Sequence, residues 1–170
     1  MARDNEGLFH ILIADDDPAF VHALRQVRAT ISCPCELHWA KDGLDALDYL
    51  HRRNSHCGAP TPHVVLMDVD MPRMNGLRAL RAIRGDAAFS GIPVIVLSGS
   101  ALPAVVRTTY LEHANAFVRK PADLNRLADF LRALEAFWMQ FAVLPSTSGE
   151  ITPPRPADVL QERLATATAG

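Results

Sequence analysis

The chain has 170 residues, 49% of them hydrophobic, with 17 basic and 19 acidic side chains and a formal charge of −2. That length fits one domain with a full core and a tail. The balanced charge offers no basic surface for nucleic acid, and no apolar run is long enough to span a membrane. The first residues carry acids and lack an apolar leader core, so no signal peptide is read and a cytoplasmic location is expected. Three cysteines, Cys33, Cys35 and Cys57, are an odd number with one Cys-Pro-Cys pair. That is neither a disulfide framework nor zinc-ligand spacing, and His56-Cys57 is read as loop rather than metal site.

Residues 8–14 read as a buried strand that runs into Asp15-Asp16-Asp17-Pro18. Asp17 is placed to cap a helix with proline at its first position. Phe20, Leu24, Val27 and Ile31 follow at helical spacing. Cys33-Pro34 breaks that helix, and residues 36–40 form a short second strand. Asp42-Gly43 turns into a second helix with Leu44, Leu47 and Leu50 inward, and residues 52–62 are a polar, proline-bearing loop.

Residues 63–67 form the third strand, apolar without alternation from Val64 to Met67, as expected of a strand covered on both faces. Asp68 ends it, Met71-Pro72 stops any ladder, and Asn75-Gly76 turns the chain into a third helix marked by Leu77, Leu80 and Ile83. Residues 93–97 are a fourth buried strand, followed by Ser98-Gly99-Ser100. Pro103 opens a fourth helix, to about residue 112, with modest apolar content. Residues 116–118 are a fifth strand, followed by Arg119-Lys120-Pro121. Asp123 caps a last helix with Leu127, Leu131, Leu134, Trp138 and Phe141 on one side, widened by Phe130 and Phe137. Residues 145–170 form a tail: a linker to 156, then a short weak helix over 157–166.

Five strands alternating with helices call for an α/β fold, a parallel sheet with helices on both faces. In such a sheet the strand ends share one edge, where sites form. Here those ends carry Asp15 and Asp16, Asp68, Ser98 and Lys120. Each taken singly is an ordinary cap or loop residue. Together, carboxylates so close repel one another unless one is protonated or a cation intervenes. Mg²⁺ suits a few carboxylate oxygens, waters and phosphate oxygens. A lysine and a hydroxyl complete a pocket for phosphoryl transfer to a carboxylate.

The motifs Ile13-Ala14-Asp15-Asp16-Asp17, Met67-Asp68-Val69-Asp70-Met71-Pro72, Leu97-Ser98-Gly99 and Phe117-Val118-Arg119-Lys120-Pro121 resemble, in order, those of the response-regulator receiver domain of two-component signalling. The resemblance covers residues 8–144. It implies a flavodoxin-like doubly wound five-stranded sheet of order 2-1-3-4-5. It also implies that Asp68 is the phosphoacceptor and that Asp15, Asp16, Asp68 and the Asp70 carbonyl hold Mg²⁺. Ser98 and Lys120 would bind the phosphoryl group, and Ser98 with Phe117 would form a switch. The serine stands where threonine is common in the family. A finer resemblance, in residues 134–145, the loop 54–62 and residues 92–97, is to phytochrome-associated single-domain response regulators. It implies a sensor histidine kinase, a bacteriophytochrome, as phosphodonor.

No effector domain is expected in the residues after Pro145, which are too few to bury a DNA-binding core. Output is therefore expected through protein–protein contact. Phe130, Phe137, Trp138 and Phe141 form the candidate patch, with a homodimer as the simplest partner. Two other readings remain at this point. A haloacid-dehalogenase-like phosphatase shares a strand-end Asp-x-Asp (Asp68-Val-Asp70) with a later Ser and Lys, but places its metal-binding acids late in the chain. A receiver-like scaffold that is never phosphorylated is the other.

Overall fold

The computed structural model describes residues 8–145, so the readings for the rest of the tail, including the helix over 157–166, lie outside the described residues. Ten regular elements alternate: β1 (Phe9–Ala14), α1 (Pro18–Val27), β2 (Cys35–Ala40), α2 (Gly43–Leu50), β3 (Val64–Asp68), α3 (Gly76–Gly85), β4 (Val94–Ser98), α4 (Pro103–Leu111), β5 (Ala116–Arg119) and α5 (Leu124–Leu134). The strands form one sheet of order β2-β1-β3-β4-β5. Every pairing is parallel, with Ile13 beside Leu66, Met67 beside Val96 and Leu97 beside Val118. The register is what matters for function, because it brings the carboxyl ends of β1, β3, β4 and β5 to one edge.

The sheet is dry on both faces, which explains the unbroken apolar runs. Successive side chains point to opposite faces. Val65 and Met67 join Leu12, Ala14 and Val96 under α2 and α3, where Ala46, Tyr49, Leu80 and Ile83 close the layer. Val64 and Leu66 join Ile11, Ile13 and Leu97 under α1 and α5, against Val21, Leu24, Leu127 and Leu131. Each fully buried aliphatic side chain contributes about 1.5–3 kcal/mol, and the shared central strand couples the two layers.

Helix starts follow the local chemistry. Asp17, Asp42, Asn75 and Asp123 each accept a main-chain N–H of the first turn with a side-chain oxygen, at 2.9–3.0 Å, satisfying donors that have no partner within the helix. Only α4 lacks a side-chain cap, and Thr109 is its one buried residue, in keeping with its modest apolar content.

Three details depart from expectation. Leu44 points outward, 40% exposed, because the inward face of α2 is set by Gly43, Ala46, Tyr49 and Leu50. The first helix stops at Val27, and Ile31 follows a 3-10 turn at Arg28–Thr30. The last helix changes character: after α5 the backbone continues as a π-helix over Glu135–Phe141. Seven residues return to nearly the same face in an α-helix but not in a turn closed by i→i+5 bonds. Leu134 is therefore buried while Phe141 is 78% exposed, not on the core stripe. Glu135 anchors this transition. Its buried carboxylate accepts the main-chain N–H groups of Ser32 and Cys33 at 2.8 and 2.6 Å. The expected aromatic patch divides accordingly. Phe130 and Trp138 are partly buried against the core under α1 and α5, whereas Phe137 is 57% exposed.

Gly76 opens α3 hard against the main chain of Asp68. Its N–H donates to the Val69 carbonyl at 3.0 Å, and a Cβ there would overlap the Asp68 carbonyl oxygen. The obstacle is backbone and cannot rotate away. Gly76→Ala is expected to destabilise the fold by about 1–3 kcal/mol, lowering the thermal midpoint by several degrees in calorimetry.

Candidate functional site

Asp15 follows β1 with its side chain fully buried, and Asp68 closes β3 at 5% exposure. Asp16, beside Asp15, is exposed. Carboxylate oxygens from Asp15, Asp16 and Asp68 lie within 4.8 Å of one another. Lys120, just past β5, reaches into this group. Its ammonium donates a hydrogen bond to Asp68 Oδ2 at 2.8 Å and lies 2.8 Å from Asp15 Oδ2. Apart from this ion pair, that buried oxygen has no polar partner among the described residues.

The electrostatics follow from burial and charge. Burial pushes the Asp15 carboxyl above its ordinary range; Lys120 pulls it back, and the neighbouring Asp68 charge adds to the rise. For Lys120, burial alone would lower the pKa, but hydrogen bonds to Asp15 and Asp68 and their charges outweigh it and hold the ammonium above its usual value. One lysine thus faces three acids. A buried carboxylate oxygen met only by one shared ammonium, among convergent carboxylates, is the arrangement a hard divalent cation fits, with Asp15, Asp16 and Asp68 as oxygen ligands. The Asp70 side chain is exposed and stands outside this convergence.

Ser98 closes β4 with its side chain buried. Its hydroxyl accepts the Ser100 N–H at 3.2 Å, and its carbonyl accepts the Lys120 N–H at 2.8 Å. The strand that delivers the hydroxyl is thereby tied to the strand that delivers the ammonium. Phe117, on β5, is half-buried against the layer that includes Val105 and Ala114. Its N–H donates to the hydroxyl of Tyr110, which is itself half exposed.

The structure adds three side chains that the strand-end pattern did not single out. The Trp39 indole N–H donates to the Asp15 carbonyl at 2.8 Å, fixing the main chain beneath that carboxylate. Phe20 presents its ring 4.9 Å from the Lys120 ammonium, a cation–π contact at a position counted as core. Asp42 does more than cap α2, since its buried carboxylate pairs with the Arg73 guanidinium. Arg73 holds a left-handed backbone, φ 59°, and such strained conformations cost about 1–3 kcal/mol unless neighbours hold them. The pairing stabilises the β3–α3 loop that follows Asp68. The only signal for it in the sequence was the acid at position 42, which capping had already explained.

A family model of the response regulator receiver domain matches residues 11–132. The chain belongs to the response regulator receiver family. Response regulator Rcp1 of Synechocystis sp. is 29% identical over 136 residues, covering 80% of this chain and 92% of its own. The receiver also resembles the phosphorylated cyanobacterial phytochrome response regulator RcpA, with TM-score 0.76, 30% identity and coverage of 81% and 99% of the two chains. Response regulator RPA3017, of red light signaling in R. palustris, superposes with TM-score 0.76 at 33% identity over the same shares. The Mn²⁺-bound form of Rcp1 matches with TM-score 0.74, 28% identity and again 81% and 99% of the chains. The receiver thus groups with phytochrome response regulators. The dehalogenase-like reading finds no support: the acid pair follows the first strand, and Asp68 ends β3, which is third in the chain. No helix among the described residues is long and apolar enough to cross a membrane.

The Lys120 bridge makes a pH-dependent prediction. An aspartate whose folded-state pKa is raised costs stability once ionised, and that cost grows as pH rises from its unfolded value near 3.8 through the folded value. Lys120→Met enlarges the rise. Its loss of stability relative to the parent is expected to be on the order of 3 kcal/mol at neutral pH and to shrink as pH falls through the raised Asp15 pKa and that carboxyl is protonated; urea denaturation at neutral and acid pH measures it.

Proposed function

We propose that this receiver accepts a phosphoryl group on Asp68 from the phosphohistidine of a sensor kinase, and that a bacteriophytochrome is that kinase. The convergence of Asp15, Asp16 and Asp68 on one point, with Lys120 bonded to Asp68, carries the reading. In this reading an Asp68 oxygen attacks phosphorus in line; the O–P bond forms as the P–N bond to the imidazole breaks, and the imidazole leaves to take up a proton. Lys120 offsets the charge that accumulates on the phosphoryl oxygens. Mg²⁺ held by Asp15, Asp16, Asp68 and the Asp70 carbonyl would neutralise the remaining charge. The metal held by the similar Rcp1 supports this assignment, as does the phosphorylated state of RcpA. The kinase assignment rests on the likeness to phytochrome response regulators.

The Ser98 hydroxyl then exchanges the Ser100 N–H for the phosphoryl oxygen, and the space it leaves lets the half-buried Phe117 turn inward. The Phe117–Tyr110 contact couples that movement to α4. A local charge change thereby biases a two-state face made by α4, β5 and α5. Output is through protein contact, with a second copy of the chain as the partner. The exposed apolar residues Phe137, Phe141 and Val143 provide the centre of that contact.

Incubation with acetyl phosphate and Mg²⁺ is expected to add one phosphoryl group to the parent and none to Asp68→Asn, read by intact mass. Steady hydrolysis without an adduct would indicate a phosphatase, and no reaction a silent scaffold. Phe141→Asp is expected to shift the protein toward monomer in sedimentation velocity, and an unchanged coefficient would remove this face from the interface.

A further inference from the structure

Far from the phosphoacceptor edge, at the amino-terminal end of β1 and β2, the ladder places His10 directly opposite Glu36. The two-residue period returns His38 to the same face, beside α2. The result is a compact group of donors. His10 Nδ1 and His38 Nε2 are 3.1 Å apart, and Glu36 Oε2 lies 3.6 Å from the first and 3.8 Å from the second. These carboxylate distances are too long for hydrogen bonds, so the three atoms frame a gap.

A cation with imidazole and carboxylate donors at about 2.0–2.2 Å in tetrahedral array sets those donors roughly 3.3–3.5 Å apart. The observed edges differ from that by a few tenths of an ångström. The member that must move is Glu36, whose side chain is 55% exposed, while the His10 and His38 side chains, 13% and 15% exposed, are held.

The surroundings fix the imidazoles. The His10 main-chain N–H donates to His63 Nδ1 at 2.9 Å, and the His63 ring stacks on that of His10 with centroids 5.7 Å apart. The buried Tyr49 ring lies 5.3 Å from the His38 ring. Its hydroxyl has no hydrogen-bond partner among the described residues. The 3.1 Å contact between the two rings of His10 and His38 is a hydrogen bond in which one imidazole donates to the other, and a cation would displace that shared proton and bind both nitrogens.

We propose that His10, Glu36 and His38 form a second metal site, for a borderline divalent cation of the Zn²⁺ type, distinct from the acidic pocket. Three protein ligands leave the fourth position to water. Nitrogen donors disfavour Mg²⁺, so the two sites divide cations by hardness. The site clips β2, which among the described residues has only β1 as a neighbouring strand, to β1.

The test uses the full tag-free chain, stripped of metal and saturated with Mg²⁺ to fill the acidic pocket. Calorimetric titration is expected to find one equivalent of Zn²⁺, and Co²⁺ as probe to give the visible absorption of a four-coordinate nitrogen–oxygen site. Glu36→Gln, a conservative change at a half-exposed position, and His38→Gln are each expected to weaken binding at least about tenfold, and Asp68→Asn to leave it unchanged. Three results overturn the proposal: no Zn²⁺ bound in the presence of Mg²⁺, parental affinity in Glu36→Gln, or a thiolate charge-transfer band with Co²⁺, which would assign the ion to cysteine.

Discussion

The contact between the Lys120 ammonium and the carboxylates of Asp15 and Asp68 holds the functional edge together. It spans three strands, since Asp15 follows β1, Asp68 ends β3 and Lys120 follows β5. Desolvating two acids at one point is unfavourable, and the lysine offsets only part of their charge. The edge is therefore stable enough to fold and still short of positive charge. That shortage, rather than any single residue, suits the pocket to a divalent cation and a phosphoryl group.

The rest of the architecture serves this edge. The two apolar layers fix β1, β3 and β4 from both sides, so the strand ends cannot slide against one another. Close contact of Gly76 with Asp68 sets where α3 begins, and the Asp42–Arg73 pair holds the intervening loop. Trp39 and Phe20 bring β2 and α1 to the site, one through the Asp15 carbonyl and the other through the Lys120 ammonium. Firm packing gives way on the other side. α4 buries only Thr109 and has no side-chain cap, so the face next to Ser98 and Phe117 is the part of the fold with least to lose by moving.

Much of this was legible in the residue order. Strands buried on both faces write continuous apolar runs, and the polar residues that end them mark the edge; Asp15, Asp68, Ser98 and Lys120 were found that way. Helix starts were legible because a cap is a local hydrogen bond between neighbours in sequence. Leu44 and Phe141 were misplaced because each depended on the phase of a helix. A one-residue offset in α2 and the change to π-helical turns after Leu134 alter that phase without a distinctive residue to announce it. Glu135 is an example: its reason for burial is a pair of main-chain N–H groups about a hundred residues earlier in the chain.

The sequence by itself determined the class of fold, the membership of the strand-end constellation and the family likeness, because period, punctuation and motif order are properties of neighbouring residues. Tertiary structure alone decided which of those groups touch. The hydrogen bond of Lys120 to Asp68, its ion pair with Asp15, the Arg73 pairing and the convergence of His10, Glu36 and His38 all join residues that are distant in sequence or lie on different strands. Their geometry is set by parallel register and by the competition between burial and charge, and neither quantity exists until the sheet has formed.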